Sequence, residues 1–130
     1  MPFRRAAAGA QAGQATLELA LALPVLALLL AALVEVGLVV ADQARLWHAA
    51  REGARIAAVD PDTADVRAAA ERPGLSPLDV DVAPEAHLRR QGDPVTVELR
   101  YVPRSRVRLF DAVLDRVELH ATGVMRIEQP

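Results

Sequence analysis

The sequence predicts an α+β chain in which a long amino-terminal helix crosses a membrane and continues beyond it to pack on a small antiparallel sheet of about three strands. Two observations carry this expectation. Residues 19–41 hold a single charged residue, Glu35, in 23 positions, and three later segments alternate apolar and polar residues with the period of a half-buried strand. The composition bounds the rest. A chain of 130 residues, 52% hydrophobic and 25% charged, allows one small domain beside the span. It excludes separate cofactor and substrate domains of about 100 residues each. Without Cys there is no disulfide framework, thiolate metal site or thiol nucleophile. Aromatic residues make up only 3%, so Leu, Val and Ala must build the core, and stacking surfaces for bases or sugars are nearly missing. Lys does not occur, and Arg supplies all the basic charge of a chain whose net charge is −2.

As a helix, residues 19–41 reach about 35 Å, more than the ~30 Å hydrocarbon core of a bilayer. Their Leu and Val side chains together favour insertion by roughly 3 to 6 kcal/mol, and an acid near the end, at Glu35, opposes it by less than the ~3 kcal/mol of a central one. Pro24 is tolerated in a membrane helix, with a mild kink expected. Two other readings fit less well. A buried helix of a soluble protein rarely runs this far without a polar face. A cleaved secretory signal, with Arg4 and Arg5 as its basic region and a cut after Ala41, normally has a shorter apolar stretch. Arg4 and Arg5 on one flank against Arg45, Arg51 and Arg55 on the other leave the orientation open by charge counting.

Past the span the helical period persists. Arg45, His48, Glu52 and Arg55 form a polar stripe, and Trp47, Ala50, Gly53, Ala54 and Ala57 a small, smooth one opposite. Small residues at this spacing let another element approach closely, and the expected cover is this chain's own sheet. Trp47 also suits a headgroup layer or serves as a packing anchor. Asp60-Pro61 ends the helix. Asp62 is a good N-cap for a second helix at 63–72, stopped by Pro73-Gly74. Asp60, Asp62 and Asp65 lack the Gly and terminal Glu of a calcium loop.

The three alternating segments follow. Leu78, Val80 and Val82 face one way in the first, and Val95, Val97, Leu99 and Tyr101 in the second. The third places Val117, Leu119, Ala121, Gly123, Met125 and Ile127 on one face. Sheets of this kind bury that face against another layer. Between the last two, Leu109, Phe110, Val113 and Leu114 recur at helix-like spacing, as in a short amphipathic helix or an apolar loop. Arg100, Arg104, Arg106 and Arg108 form a basic cluster that suits anionic headgroups or a polyanionic polymer. The acids Asp111, Asp115 and Glu118 that follow favour a balanced, solvated surface. No aromatic interleaving points to nucleic acid. Ser76 and Ser105, the dispersed His48, His87 and His120, and the lack of a phosphate loop or metal-ligand spacing give catalysis, cofactor or metal no footing.

Just ahead of the span stands Gly13-Gln14-Ala15-Thr16-Leu17-Glu18. An acid where hydrocarbon begins is a functional-site hypothesis by default; water and headgroups at the interface are the alternative that would satisfy Glu18. The six residues resemble a prepilin processing site, with the cut between Gly13 and Gln14. Together with Leu23-Pro24, Glu35 and Ala49-Ala50-Arg51-Glu52-Gly53-Ala54-Arg55, they resemble the TadE-like pseudopilins of tight-adherence pilus machines. Relatives often carry Tyr after the glutamate, where this chain has Leu19. The resemblance implies a pilin-like fold made of a leader at 1–13, a transmembrane helix at 14–41 and an extracytoplasmic domain at 42–130. It also implies a single-pass protein of the cytoplasmic membrane with its amino terminus inside, cleaved by the prepilin peptidase. Glu18 would then pair with the free amine of a neighbouring subunit, and the partners would be other pilins or pseudopilins, inner-membrane assembly proteins and lipid. An uncut, membrane-anchored binding domain is the alternative function.

Overall fold

The computed structural model describes residues 6–60 and 62–128, with side chains from residue 13 onward. The expected basic residues of the leader, Arg4 and Arg5, and the helix-ending Pro61 lie outside the described residues. The elements in chain order are α1 (Ala6–Ala57), α2 (Thr63–Glu71), β1 (Leu78–Ala83), β2 (Pro94–Tyr101), α3 (Asp111–Leu114) and β3 (Leu119–Arg126). Short 3-10 turns at Ala86–Leu88 and Arg108–Phe110 precede β2 and α3. The chain divides into two compact units, Met1–Val36 and Gly37–Pro130.

Within the first unit α1 is an uninterrupted helix through Pro24. Its Leu and Ala residues are good helix formers. From Leu17 to Val36 its large apolar side chains are 47–69% exposed, so the unit has no apolar core of its own. That is the surface expected of a helix whose solvent is hydrocarbon.

The second unit is α+β. β1, β2 and β3 form an antiparallel sheet in that order, with Leu78 opposite Tyr101, Val80 opposite Leu99 and Val97 opposite Gly123. The alternation read from the sequence sets the inner face. Val95, Val97 and Leu99 are fully buried, and Leu78, Val80, Tyr101, Leu119 and Ala121 nearly so. Leu46, Ala49, Ala50, Ala54 and Ala57 of α1, with Val66 and Ala70 of α2, complete the core. Each large side chain in it stabilises the fold by about 1.5 to 3 kcal/mol.

Caps and turns hold the ends. The Asp62 carboxylate accepts the Ala64 N–H at 2.8 Å and so caps α2, and the Asp60 carboxylate accepts the Asp62 N–H at 2.8 Å. α2 stops at Glu71, where Gly74 takes the left-handed conformation at φ +80°, which a side chain would disfavour. Three differences from the sequence reading stand out. β3 is shorter than the alternating run and leaves Val117 ahead of it, half-buried. Met125, expected on the inner face, is 41% exposed, while Ile127 beyond the strand is buried. Of Leu109, Phe110, Val113 and Leu114 between β2 and β3, only Leu114 is buried; Leu109 and Val113 are each 64% exposed, because one turn of helix can bury only one edge.

Candidate functional site

The first group of candidate residues lies in the unit that ends at Val36. Gly13 and Gln14 are helical and exposed, and a Cβ on Gly13 would meet nothing within 4 Å. Glu18 is exposed on the same helix, between Leu17 and Leu19, which are 62% and 63% exposed. Its carboxylate therefore stands at the start of the apolar run with its neighbours bared on either side. Glu35, the acid inside the run, is the contrast. It is only 4% exposed, while Val34 and Val36 beside it are 62% and 60% exposed.

The second group lies on residues 37–57 of α1, against the sheet. Ala50 and Ala54 are fully buried and Ala57 is 2% exposed. Gly53 is buried too, and a Cβ built on it would lie 3.3 Å from Val97 Cγ1 and 3.6 Å from Val66 Cγ1. Across the interface, a Cβ on Gly123 of β3 would run into the Ala50 carbonyl group and reach 3.1 Å from the Ala54 methyl. Small residues on both sides thus bring two backbones together, which larger side chains would hold apart. The Gln43 side-chain amide donates to the His120 carbonyl at 2.9 Å, and the Glu128 N–H donates to the Ala58 carbonyl at 2.9 Å. Contacts therefore run from Gln43 with His120, through Ala50 with Gly123, to Ala58 with Glu128. α1 and β3 ascend together.

Trp47 does not join this face: it is 55% exposed, and the fully buried large residue there is Leu46. At about 100° per residue, position 46 aligns with 50, 53 and 57, and position 47 falls to the rim. The four-residue step from Leu46 to Ala50 was the signal that would have found it. The polar stripe opposite is held by local ion pairs, Arg45 with Asp42 at 3.0 Å and Arg55 with Glu52 at 2.6 Å. The Arg55 guanidinium holds the Glu52 carboxyl below its ordinary range, through a solvent-screened pair of a kind that adds little to a helix.

The sequence-adjacent arginines are separated by the fold. Arg100 lies on the outer face of β2 and donates to Glu98 at 3.2 Å. Arg104 and Arg106, by contrast, line a cavity of about 230 Å³ with Leu38, Asp42, Arg45, Leu75 and Tyr101. Burial in this wall, with the Asp42 carboxylate near, raises the Tyr101 phenol above its ordinary value. A residue the sequence reading passed over is Arg89, which is 7% exposed. Its guanidinium donates to the carbonyls of Pro84 at 3.1 Å, Ala57 at 3.4 Å and Asp60 at 3.5 Å, and so serves a carbonyl at the end of α1 that has no partner within the helix. Among the described residues, His87 and His120 sit beside Glu85 and Glu118 at 3.4 and 3.6 Å, and no three His, Asp or Glu side chains are grouped to hold a metal ion.

Comparison with curated proteins and with solved structures returned no match. A family comparison did. The segment from residue 13 to 55, which carries Gly13, Glu18, the apolar run and the small-residue face of α1, matches the TadE-like protein family.

Proposed function

We propose that this chain is a minor pseudopilin-like membrane protein that takes part in assembling a tight-adherence pilus or a related secretion apparatus, without catalysis. The family match at 13–55 implies a protein related to that machinery, with an amino-terminal hydrophobic helix. The observation that carries the finer reading is Glu18, an exposed acid at the head of an exposed, membrane-length helix. A carboxylate at that depth is stabilised when a positive group meets it. Cleavage between Gly13 and Gln14 would supply one, the new amine of a neighbouring subunit, as the helices gather.

In this reading the prepilin peptidase removes the leader on the cytoplasmic side. The helix stays in the cytoplasmic membrane, and the sheet domain is displayed outside to meet other pilins. Glu18→Ala tests it. The variant is expected to insert normally, since a charge is removed from the apolar boundary, and to lose co-purification with its pilus partners and lower surface piliation. Normal piliation with Glu18→Ala would count against the role. Intact-mass measurement of the membrane-extracted protein checks the cut: a chain beginning at Gln14 supports processing, and an uncut chain favours the anchored binding domain instead.

A further inference from the structure

The connection between β2 and β3 carries Leu109 and Val113, the large apolar residues with the highest fractional exposure outside the span among the described residues, and the fold determines at which end of the sheet it lies. Gln43 meets His120, Ala50 meets Gly123 and Ala58 meets Glu128. From residue 43 to 58 a helix rises about 22 Å, and from 120 to 128 a strand rises about 26 Å, so the two run nearly side by side. The start of β3 and its register partner Tyr101, the end of β2, therefore sit level with Asp42, which shares a cavity wall with Tyr101 and Arg104. Asp42 and Arg45 lie roughly 2 to 6 Å along the helix beyond Ala41, where the apolar run ends. A headgroup layer is about 5 to 7 Å thick on each side of the hydrocarbon. Residues 102–118 thus leave and re-enter the sheet at the level of the headgroups from which α1 emerges.

We propose that this connection rests on that bilayer surface, with Leu109 and Val113 entering the acyl boundary and Arg104 and Arg108 meeting lipid phosphates. Leu109 and Val113 stand four residues apart and are each 64% exposed, while Leu114 beside them is 9% exposed. A loop that buries one apolar residue and leaves its neighbours exposed has the composition of an interfacial segment, and arginines with long apolar stems reach headgroups from it. Asp111, Asp115 and Glu118 share the connection; they lie in its second half, with Arg116 among them, after Arg104, Arg106 and Arg108. Leu88, 59% exposed, sits on the β1–β2 connection at the opposite end of the sheet and has no such surface within reach.

The proposal rests on α1 crossing the membrane, and the test keeps the two apart. The full chain has no Cys, so Leu109→Cys, Val113→Cys, Leu88→Cys and Leu29→Cys can each carry one environment-sensitive fluorophore after reconstitution in phosphatidylglycerol–phosphatidylcholine vesicles. The expected result is blue-shifted emission at 109 and 113, quenched by shallow spin-labelled lipid. Position 29 should be quenched by deep label and position 88 by neither. Emission at 109 and 113 matching that at 88, with 29 deeply quenched, overturns the surface contact and leaves the span standing. Loss of quenching at 29 as well overturns both. Arg104→Gln with Arg108→Gln should abolish the dependence of the signal at 109 on phosphatidylglycerol content. An unchanged dependence, or a shift produced in detergent by inorganic phosphate alone, overturns the lipid-phosphate contact.

Discussion

Gly123→Ala puts a methyl group where β3 lies against the backbone of α1 at Ala50. The added Cβ would overlap the Ala50 carbonyl group and stand 3.1 Å from the Ala54 methyl. Backbone on both sides leaves no side chain to swing away, so α1 and the sheet must part by about 1 Å to restore van der Waals distance. A gap of that size forfeits a quarter to a half of each dispersion contact along the face, here Leu46, Ala50, Ala54 and Ala57. Overpacking of this kind costs about 1 to 3 kcal/mol, offset by the 0.5 to 1 kcal/mol that replacing a strand glycine returns. A net loss of about 1 to 2 kcal/mol corresponds to roughly five- to thirtyfold faster hydrogen exchange of the most protected β2 and β3 amides, where opening of the domain governs exchange. Exchange mass spectrometry on the detergent-solubilised full chain reads this directly. Gly53→Ala is the internal control: its Cβ would touch only Val97 and Val66 side chains, at 3.3 and 3.6 Å, and the Val66 carbonyl at 4.0 Å. The ~1 kcal/mol helix propensity of alanine over glycine should leave it neutral or slightly stabilised. If Gly123→Ala exchanges within threefold of the wild type, the close helix–sheet contact is wrong.

Arg89→Met keeps the length of the side chain and removes its three carbonyl contacts. A loss of about 1.5 to 3 kcal/mol is expected, whereas the exposed Arg90→Met should change denaturant midpoints very little. Asp62→Ala removes the α2 cap and should cost about 1 kcal/mol, visible as faster exchange confined to residues 63–71. The Tyr101 phenol is raised by burial and by Asp42, so its neutral form is the one the fold favours. Its contribution is complete below the ordinary phenol value near pH 10 and is lost as pH climbs through the raised one. Tyr101→Phe should flatten that alkaline loss, and an unchanged alkaline slope would place its origin elsewhere.

Periodicity made the elements legible in advance. The 23 residues with one charge define the span, the alternation from Leu78 and from Val95 defines inner faces, and Asp62 marks a helix start, because each signal is local and repeats along the chain. The sheet-facing stripe of α1 was legible at Ala50, Gly53, Ala54 and Ala57 for the same reason. Its upper member was not. Trp47 outranks Leu46 in size and hydrophobic surface, yet the phase of the helix against the sheet places Leu46 inside. A phase is fixed by the partner surface, which no single segment contains.

The chain alone determined that a membrane-length helix precedes a three-stranded α+β domain, and it displayed the Gly13–Glu18 pattern, since hydropathy and motif spacing are properties of neighbouring residues. Tertiary structure decided which residues separated in sequence meet. It separated Arg100 from Arg104 and Arg106, buried Arg89 against the end of α1, and set Gly123 on Ala50. It also placed the β2–β3 connection at the end of the sheet where the apolar run stops. Each of these depends on how α1 and β3 align, and that alignment arises only when two distant small-residue surfaces close on one another.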